Sequence, residues 1–199
     1  SEAAATTTTT HPPRRAELAL LEQAAVASSG MRELRQLLAT GDVHVRDFDD
    51  RSLLPMLCSC GGVDGTRSFG RARAMARALR VVKILVEEFG ADINATDRWG
   101  STPLQDAIRS DHTVLADYLR ERGGALGLSP STDLNSAAEA GDIDLMRRLV
   151  SNGVNVDSTD ADSRRPLHAA AAAGRLEAVR FLVDNAHADH SPCDRWGNT

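Results

Sequence analysis

Aromatic residues are scarce in this chain: four Phe, two Trp and one Tyr in 199 residues. A core of large stacked rings is therefore excluded, and elements must meet on small and aliphatic side chains. Lysine is scarcer still, with Lys83 alone among 23 basic residues. Cysteine occurs three times, at Cys58, Cys60 and Cys193. That odd number, without framework spacing, argues for a reducing, cytoplasmic compartment. No apolar run approaches the roughly 18 residues of a membrane span, and Ser1 to Pro13 lacks the apolar stretch of a signal peptide. A net charge of −5 speaks against bulk nucleic-acid binding. What is present is a chain 42% apolar and 26% charged, the proportions of an ordinary folded protein.

That apolar content is periodic. A Leu-x-x-Ala/Leu pattern recurs at Leu21, Leu54, Leu104, Leu134 and Leu167, at intervals of 33, 50, 30 and 33 residues. One long interval predicts an insertion between Leu54 and Leu104, placed at about 62–79. Each site opens a short helix. A second helix follows, at Arg32-Glu-Leu-Arg-Gln-Leu-Leu, Val81-Val-Lys-Ile-Leu-Val, Val114-Leu-Ala-Asp-Tyr-Leu, Ile143-Asp-Leu-Met and Ala178-Val-Arg-Phe-Leu-Val. Apolar positions there fall at i, i+3 and i+4, the spacing of one buried helical face. Gly41, Gly90, Gly123 and Gly153 suit left-handed caps after these helices, and extended, turn-forming stretches come next. The unit is helix, turn, helix, finger.

With a period near 33 and the segments Asp97-Arg-Trp-Gly-Ser-Thr-Pro-Leu-Gln-Asp-Ala, Gly90-Ala-Asp-Ile-Asn-Ala and Arg165-Pro-Leu-His-Ala-Ala-Ala-Ala-Gly, the chain resembles the ankyrin repeat family. The resemblance implies an all-α solenoid over residues 14–199: five repeats, the start of a sixth, an insertion in the second, and no single compact core. Residues 1–13 read as a linker. Above the repeat sits a duplication. Val81–Gly100 aligns with Ala178–Gly197 without gaps, nine of twenty positions being identical. The block is similar to ankyrin regions of plant shaker-type potassium channels and of glutaminase- and asparaginase-type enzymes, where it is an appendage. The chain starts at Ser1 and stops at Thr199, short of a Pro-Leu that would continue the sixth repeat, so both ends read as those of a piece of something longer.

Chemistry is hard to find. There is no GxSxG, Walker loop, HExxH or paired CxxC, so no catalytic residue and no cofactor is assigned. His187-Ala-Asp-His190-Ser-Pro-Cys193 has the residue types of a zinc site. Yet it falls where the first copy has Gly90 to Thr96, an extended stretch whose alternate side chains point apart, and no metal is assigned. Cys58 matches a core-facing Ala. Thr102 before Pro103 reads as a helix N-cap. By resemblance, His168 hydrogen-bonds backbone in a finger loop.

The resemblance implies a protein partner, held by finger residues and by exposed positions late in the first helices. Here these are Phe48, Asp49 and Arg51; Arg98, Trp99 and Ser101; Arg109 and Glu139; Asp162 and Arg164; and Arg195 and Trp196. Trp99 and Trp196 have two readings, anchors for that partner or packing along the finger row. The insertion is basic: Arg71, Arg73, Arg77 and Arg80 are candidates for an anionic ligand, against a solvated helix extension. The expected role is a protein-binding scaffold without catalysis, the alternative a regulatory appendage acting on further domains of the same polypeptide.

Overall fold

The computed structural model describes residues 31–40, 46, 49–59, 68–127, 130–160, 162–191 and 193–197. Among them are helices and turns, with no strand. Helix α1 spans Met31–Thr40, α2 Leu53–Ser59 and α3 Ser68–Glu87. Then come α4 (Pro103–Arg109), α5 (Thr113–Glu121), α6 (Pro130–Ala140) and α7 (Ile143–Ser151). Last are α8 (Pro166–Ala172) and α9 (Leu176–Arg180), which runs on as a π-helical turn over Phe181–Asn185. The Leu-x-x-Ala sites at Leu54, Leu104, Leu134 and Leu167 lie in α2, α4, α6 and α8, as the spacing predicts. The site at Leu21, the cap at Gly41 and the linker at 1–13 lie outside the described residues.

Each helix pair is a few turns long and carries one apolar face, so burial has to come from neighbours. Packing follows that rule: α2 lies against α4, α3 against α5, and α6 against α8. Buried apolar side chains form one continuous cluster from Leu34 to Ala188, drawn out along the stack. Leucines dominate its deepest positions, with Leu34, Leu119, Leu134, Leu149 and Leu182 fully inaccessible. Alanines at 107, 138, 170 and 178 are also fully buried and let helices approach closely. Cys58 takes such a position and is buried without a disulfide.

Local chemistry fixes where helices begin. Thr102 accepts the Gln105 amide at the start of α4, and Pro103 occupies the position whose N–H has no helical acceptor. Asp142 does the same for Leu145 ahead of α7. At α8 the Arg165 amide donates to His168 Nδ1 at 3.0 Å, the finger-loop role expected of that histidine. Second helices end on a left-handed residue: Gly90, Gly123 and Gly153 have φ of 65°, 85° and 90°. In the duplicated copy His187 stands where Gly90 does, with φ of 55°.

Between the third and fourth repeats the pattern changes. The sequence interval there is 30, and the connection carries no Asp-x-x-Gly finger. Repeat three reaches repeat four through α4 against α7, and a groove of about 500 Å³ opens between α5 and α7, lined by His112, Ala116, Arg148 and Asn152. Polar bonds cross this junction. Gln105 Nε2 donates to Asp133 at 2.6 Å, and Arg109 Nη2 donates to both Asp133 oxygens at 2.9 and 2.7 Å. Thr102 donates to the Ala125 carbonyl at 2.7 Å. Gly127 passes so close to Gly100 that a Cβ would lie 2.0 Å from its carbonyl oxygen. Asp106, 1% exposed, sits 3.3 Å from Arg109 Nη1. Burial raises its pKa to about 6, although Arg109 and Arg51 pull it down and Asp97 and Asp133 add to the rise.

Backbone conformation and burial set the expected cost of four substitutions. Gly153→Val places a β-branched residue at positive φ in open space and is expected to cost about 1–2 kcal/mol, whereas Glu139→Ala, at an exposed site, stays within about 0.5 kcal/mol. His187→Gly, by the same reasoning, gains up to about 1 kcal/mol. Thermal and urea unfolding check all three, and equal midpoints for the Gly153 and Glu139 variants would show the repeat register to be wrong. Asp106 binds its proton more tightly folded than unfolded, so its contribution is full below about pH 4 and is lost as pH rises through about 6. Asp106→Asn is therefore expected to gain about 1–3 kcal/mol on the wild type between pH 4.5 and 7.5. A gap that is the same at both pH values would contradict it.

Candidate functional site

Three fingers among the described residues are turns tied by one aspartate each. Asp97 Oδ1 accepts the amides of Trp99 at 3.0 Å and Ser101 at 2.9 Å. Asp160 Oδ1 accepts those of Asp162 and Arg164, both at 2.9 Å, and Asp194 Oδ1 accepts that of Trp196 at 2.9 Å. The chain then turns through a left-handed residue: Asp50, Gly100, Ser163 and Gly197 have φ of 59°, 78°, 58° and 83°. These carboxylate–amide bonds satisfy loop donors without a neighbouring strand and fix which side chains stand at the tip.

Fingers pair with the one before. The Arg98 amide donates to the Asp49 carbonyl at 2.9 Å, and Arg98 Nη1 lies 2.9 Å from Asp49 Oδ1. Arg195 repeats both contacts with Asp162, backbone at 3.3 Å and guanidinium to carboxylate. Each arginine also covers its own tryptophan: Arg98 stands 4.4 Å from the Trp99 centroid and Arg195 5.0 Å from that of Trp196. Trp99 has a second guanidinium, Arg51, at 5.4 Å. Contacts of this type contribute about 0.5–1 kcal/mol at exposed sites. Both indoles stay open, Trp99 at 50% and Trp196 at 59% exposure.

The duplicated block thus becomes two matching surface units, Asp49–Arg98–Trp99 and Asp162–Arg195–Trp196. All six residues are sequence candidates, but their pairing is not evident there. Asp49 precedes Arg98 by 49 residues and Asp162 precedes Arg195 by 33, because the insertion intervenes. Only aligning the fingers by their left-handed position shows that both aspartates are the third residue of the preceding finger.

The other candidates divide. Ser101 is buried at 3%, a correction to the expectation that finger positions are exposed; its amide is used by Asp97, and its Oγ lies 3.4 Å from Arg109 Nη2. Arg51 is half-buried and stands 3.5 Å from Asp97 Oδ2. Arg109 is held between Asp133 and Asp106; burial works against its charge, but these carboxylates outweigh it and raise its pKa. Asp133, at the heart of that network, carries no sequence signal. Glu139 is exposed at the end of α6, where its carbonyl accepts Arg175 Nε at 3.0 Å. Arg164 is partly buried. Phe48 lies outside the described residues, as do the side chains of Arg71 and Arg73.

The stretch from His187 to Ser191 behaves as a finger approach. The Asp189 amide donates to Asp157 Oδ1 and its own Oδ1 accepts Ser191 N–H, both at 3.0 Å. Among the described residues no group of three or more potential metal ligands is brought together, and no helix is long and apolar enough to cross a membrane.

Known proteins agree with this architecture. The family model for ankyrin repeats matches residues 71–120 and 134–183. A fowlpox virus protein named as an ankyrin repeat protein is 34% identical over 95 residues, 47% of this chain and 67% of its own length. The potassium channel SKOR of Arabidopsis thaliana is 35% identical over 185 residues, 92% of this chain but 20% of the channel. The mitochondrial liver glutaminase of Rattus norvegicus is 37% identical over 79 residues, 40% of this chain and 13% of the enzyme. The chain therefore spans a small part of the channel and the enzyme it matches. Among solved structures, the ankyrin repeat domain of human ASB11 superposes with a TM-score of 0.58 at 25% identity, covering 89% of this chain and 72% of that one. Repeat spacing, helix-pair stacking, tied fingers and these matches lead to one conclusion: the chain belongs to the ankyrin repeat family.

Proposed function

We propose that the chain is a protein-interaction module, without catalysis of its own and acting in the cytoplasm, that binds a protein partner through its finger tips and the adjoining inner helices. One observation carries this reading: an exposed indole backed by a guanidinium and a carboxylate occurs twice, at Trp99 and Trp196. Tryptophan and arginine dominate binding energy at protein interfaces, and a half-exposed indole held by its neighbours loses little freedom on binding. Arg51, Arg109 and Glu139 lie on the same proposed surface, whose mixed charge suits a polar interface.

A second reading has its own support. The channel and the glutaminase carry the matching region as 20% and 13% of a longer chain. The module would then act in cis on further domains of one polypeptide, with the same fingers as its contact.

The test is an affinity capture from cells of the source organism, read by mass spectrometry. Wild type runs beside Trp99→Ala/Trp196→Ala and a surface control, Glu121→Ala. A separate protein recovered by wild type and control but reduced at least about tenfold by the tryptophan variant is the expected result, equivalent to about 1.4 kcal/mol. Recovery of the same proteins by all three would contradict a finger-borne interface. Recovery only of a parent polypeptide's other domains would replace the first reading with the second.

A further inference from the structure

The finger surface leaves one part of the chain unused. From Gly65 to Ile84 the sequence holds Arg67, Arg71, Arg73, Arg77, Arg80 and Lys83 and no acidic residue. That segment carries +6 in a chain of −5, which leaves −11 on the rest. From Ser68 on, its residues belong to α3, 20 residues long where α5 and α7 need 9.

Register separates the two sides of this helix. Val81, Val82 and Leu85 are at most 1% exposed and face the stack. Arg80 and Lys83 are exposed, with Arg77 half-buried at the margin. Positions 73, 77 and 80 follow one another along a single line, which Lys83 and Glu87 continue. At its end the line is closed by α5: Glu87 Oε1 accepts Arg122 Nη2 at 2.7 Å and the Tyr118 hydroxyl at 3.0 Å. Lys83 Nζ rests over the Tyr118 ring at 5.2 Å. The one acidic group on the line is thus already engaged, and neither Arg80 nor Lys83 has a carboxylate partner among the described residues.

We propose that this face of α3 is a second binding surface, separate from the fingers, that takes a short acidic segment of a polypeptide. Guanidinium groups bind carboxylates as planar forks. Steps of three and four residues along a helix are about 4.5 and 6 Å. Alternate carboxylates of an extended peptide recur every 6.6 Å or so, on one side of the strand, close enough for successive pairing. Extended polyanions fit less well, because the −11 carried by the rest of the chain repels an anionic membrane or a nucleic acid over a Debye length of about 8 Å. A short segment touches the basic line alone.

The experiment titrates the whole chain into a dye-labelled peptide of about twelve residues alternating Glu and Ala, and into its Gln-for-Glu counterpart, by fluorescence anisotropy. Arg80→Glu/Lys83→Glu is compared with Arg98→Glu/Arg195→Glu, which changes net charge equally but on the fingers. Saturable binding of the acidic peptide is expected, with none of the Gln peptide. Affinity should fall at least about tenfold in the α3 variant and less than about threefold in the finger variant, and should weaken between about 50 and 300 mM salt. Thermal midpoints near wild type confirm that both variants fold. Equal losses in the two variants would assign binding to bulk charge, and no saturable binding would remove the site. Stronger binding to phosphatidylserine vesicles or to a single-stranded oligonucleotide than to the peptide would also overturn the proposal.

Discussion

No helix pair among the described residues can bury its apolar face by itself. Most helices have between seven and eleven residues, too short to persist alone in water, so each depends on the repeat beside it. The hydrophobic cluster from Leu34 to Ala188 is the record of that dependence. Its consequences are geometric. Stacking consumes the sides of the helices, and what remains for other molecules is an edge of fingers, an inner row of first helices and an outer row of second helices.

Polar bonds then hold neighbouring loops at fixed separation. Asn94 accepts the Ala125 amide at 2.8 Å, and Asp157 in the later copy accepts that of Asp189 at 3.0 Å. At the fingers the same device works within the turn, through Asp97, Asp160 and Asp194. Where the finger before repeat four is absent, side chains replace it: Gln105, Arg109 and Asp133 bridge the gap, and Asp106 is buried among them. The array is thus two blocks of similar plan joined by a polar seam. The Arg–Trp unit appears once in each block.

Much of this was legible from residue spacing. Helix pairs are set by apolar periodicity, caps by Gly90, Gly123 and Gly153, and the N-cap by Thr102 ahead of Pro103, all short-range signals. The lengthening of α3 followed from one interval that was too long. What spacing could not reveal depends on contacts between repeats. Asp49 and Asp162 are both candidates in the sequence, but they become equivalent only when their fingers lie beside Arg98 and Arg195. Ser101 carries the look of an exposed finger residue, yet the tightness of the Asp97 turn buries it. Asp133 had no signal, because its role is to meet Arg109 from the next repeat. His187 has the side chain of a metal ligand, whereas its place in the fold is a left-handed cap.

Because the carboxylate–amide bonds close within each turn, the fingers are rigid in the free chain, and Trp99 and Trp196 are held in place there. Amide hydrogen exchange measured by nuclear magnetic resonance on the free chain tests this directly. Despite lying in surface turns, the amides of Trp99, Ser101, Asp162, Arg164 and Trp196 should exchange at least about tenfold slower than unstructured amides. In an Asp97→Ala variant, protection should vanish at Trp99 and Ser101 while α4 and α5 keep theirs. Fast exchange of these five amides in the wild-type chain would contradict the account.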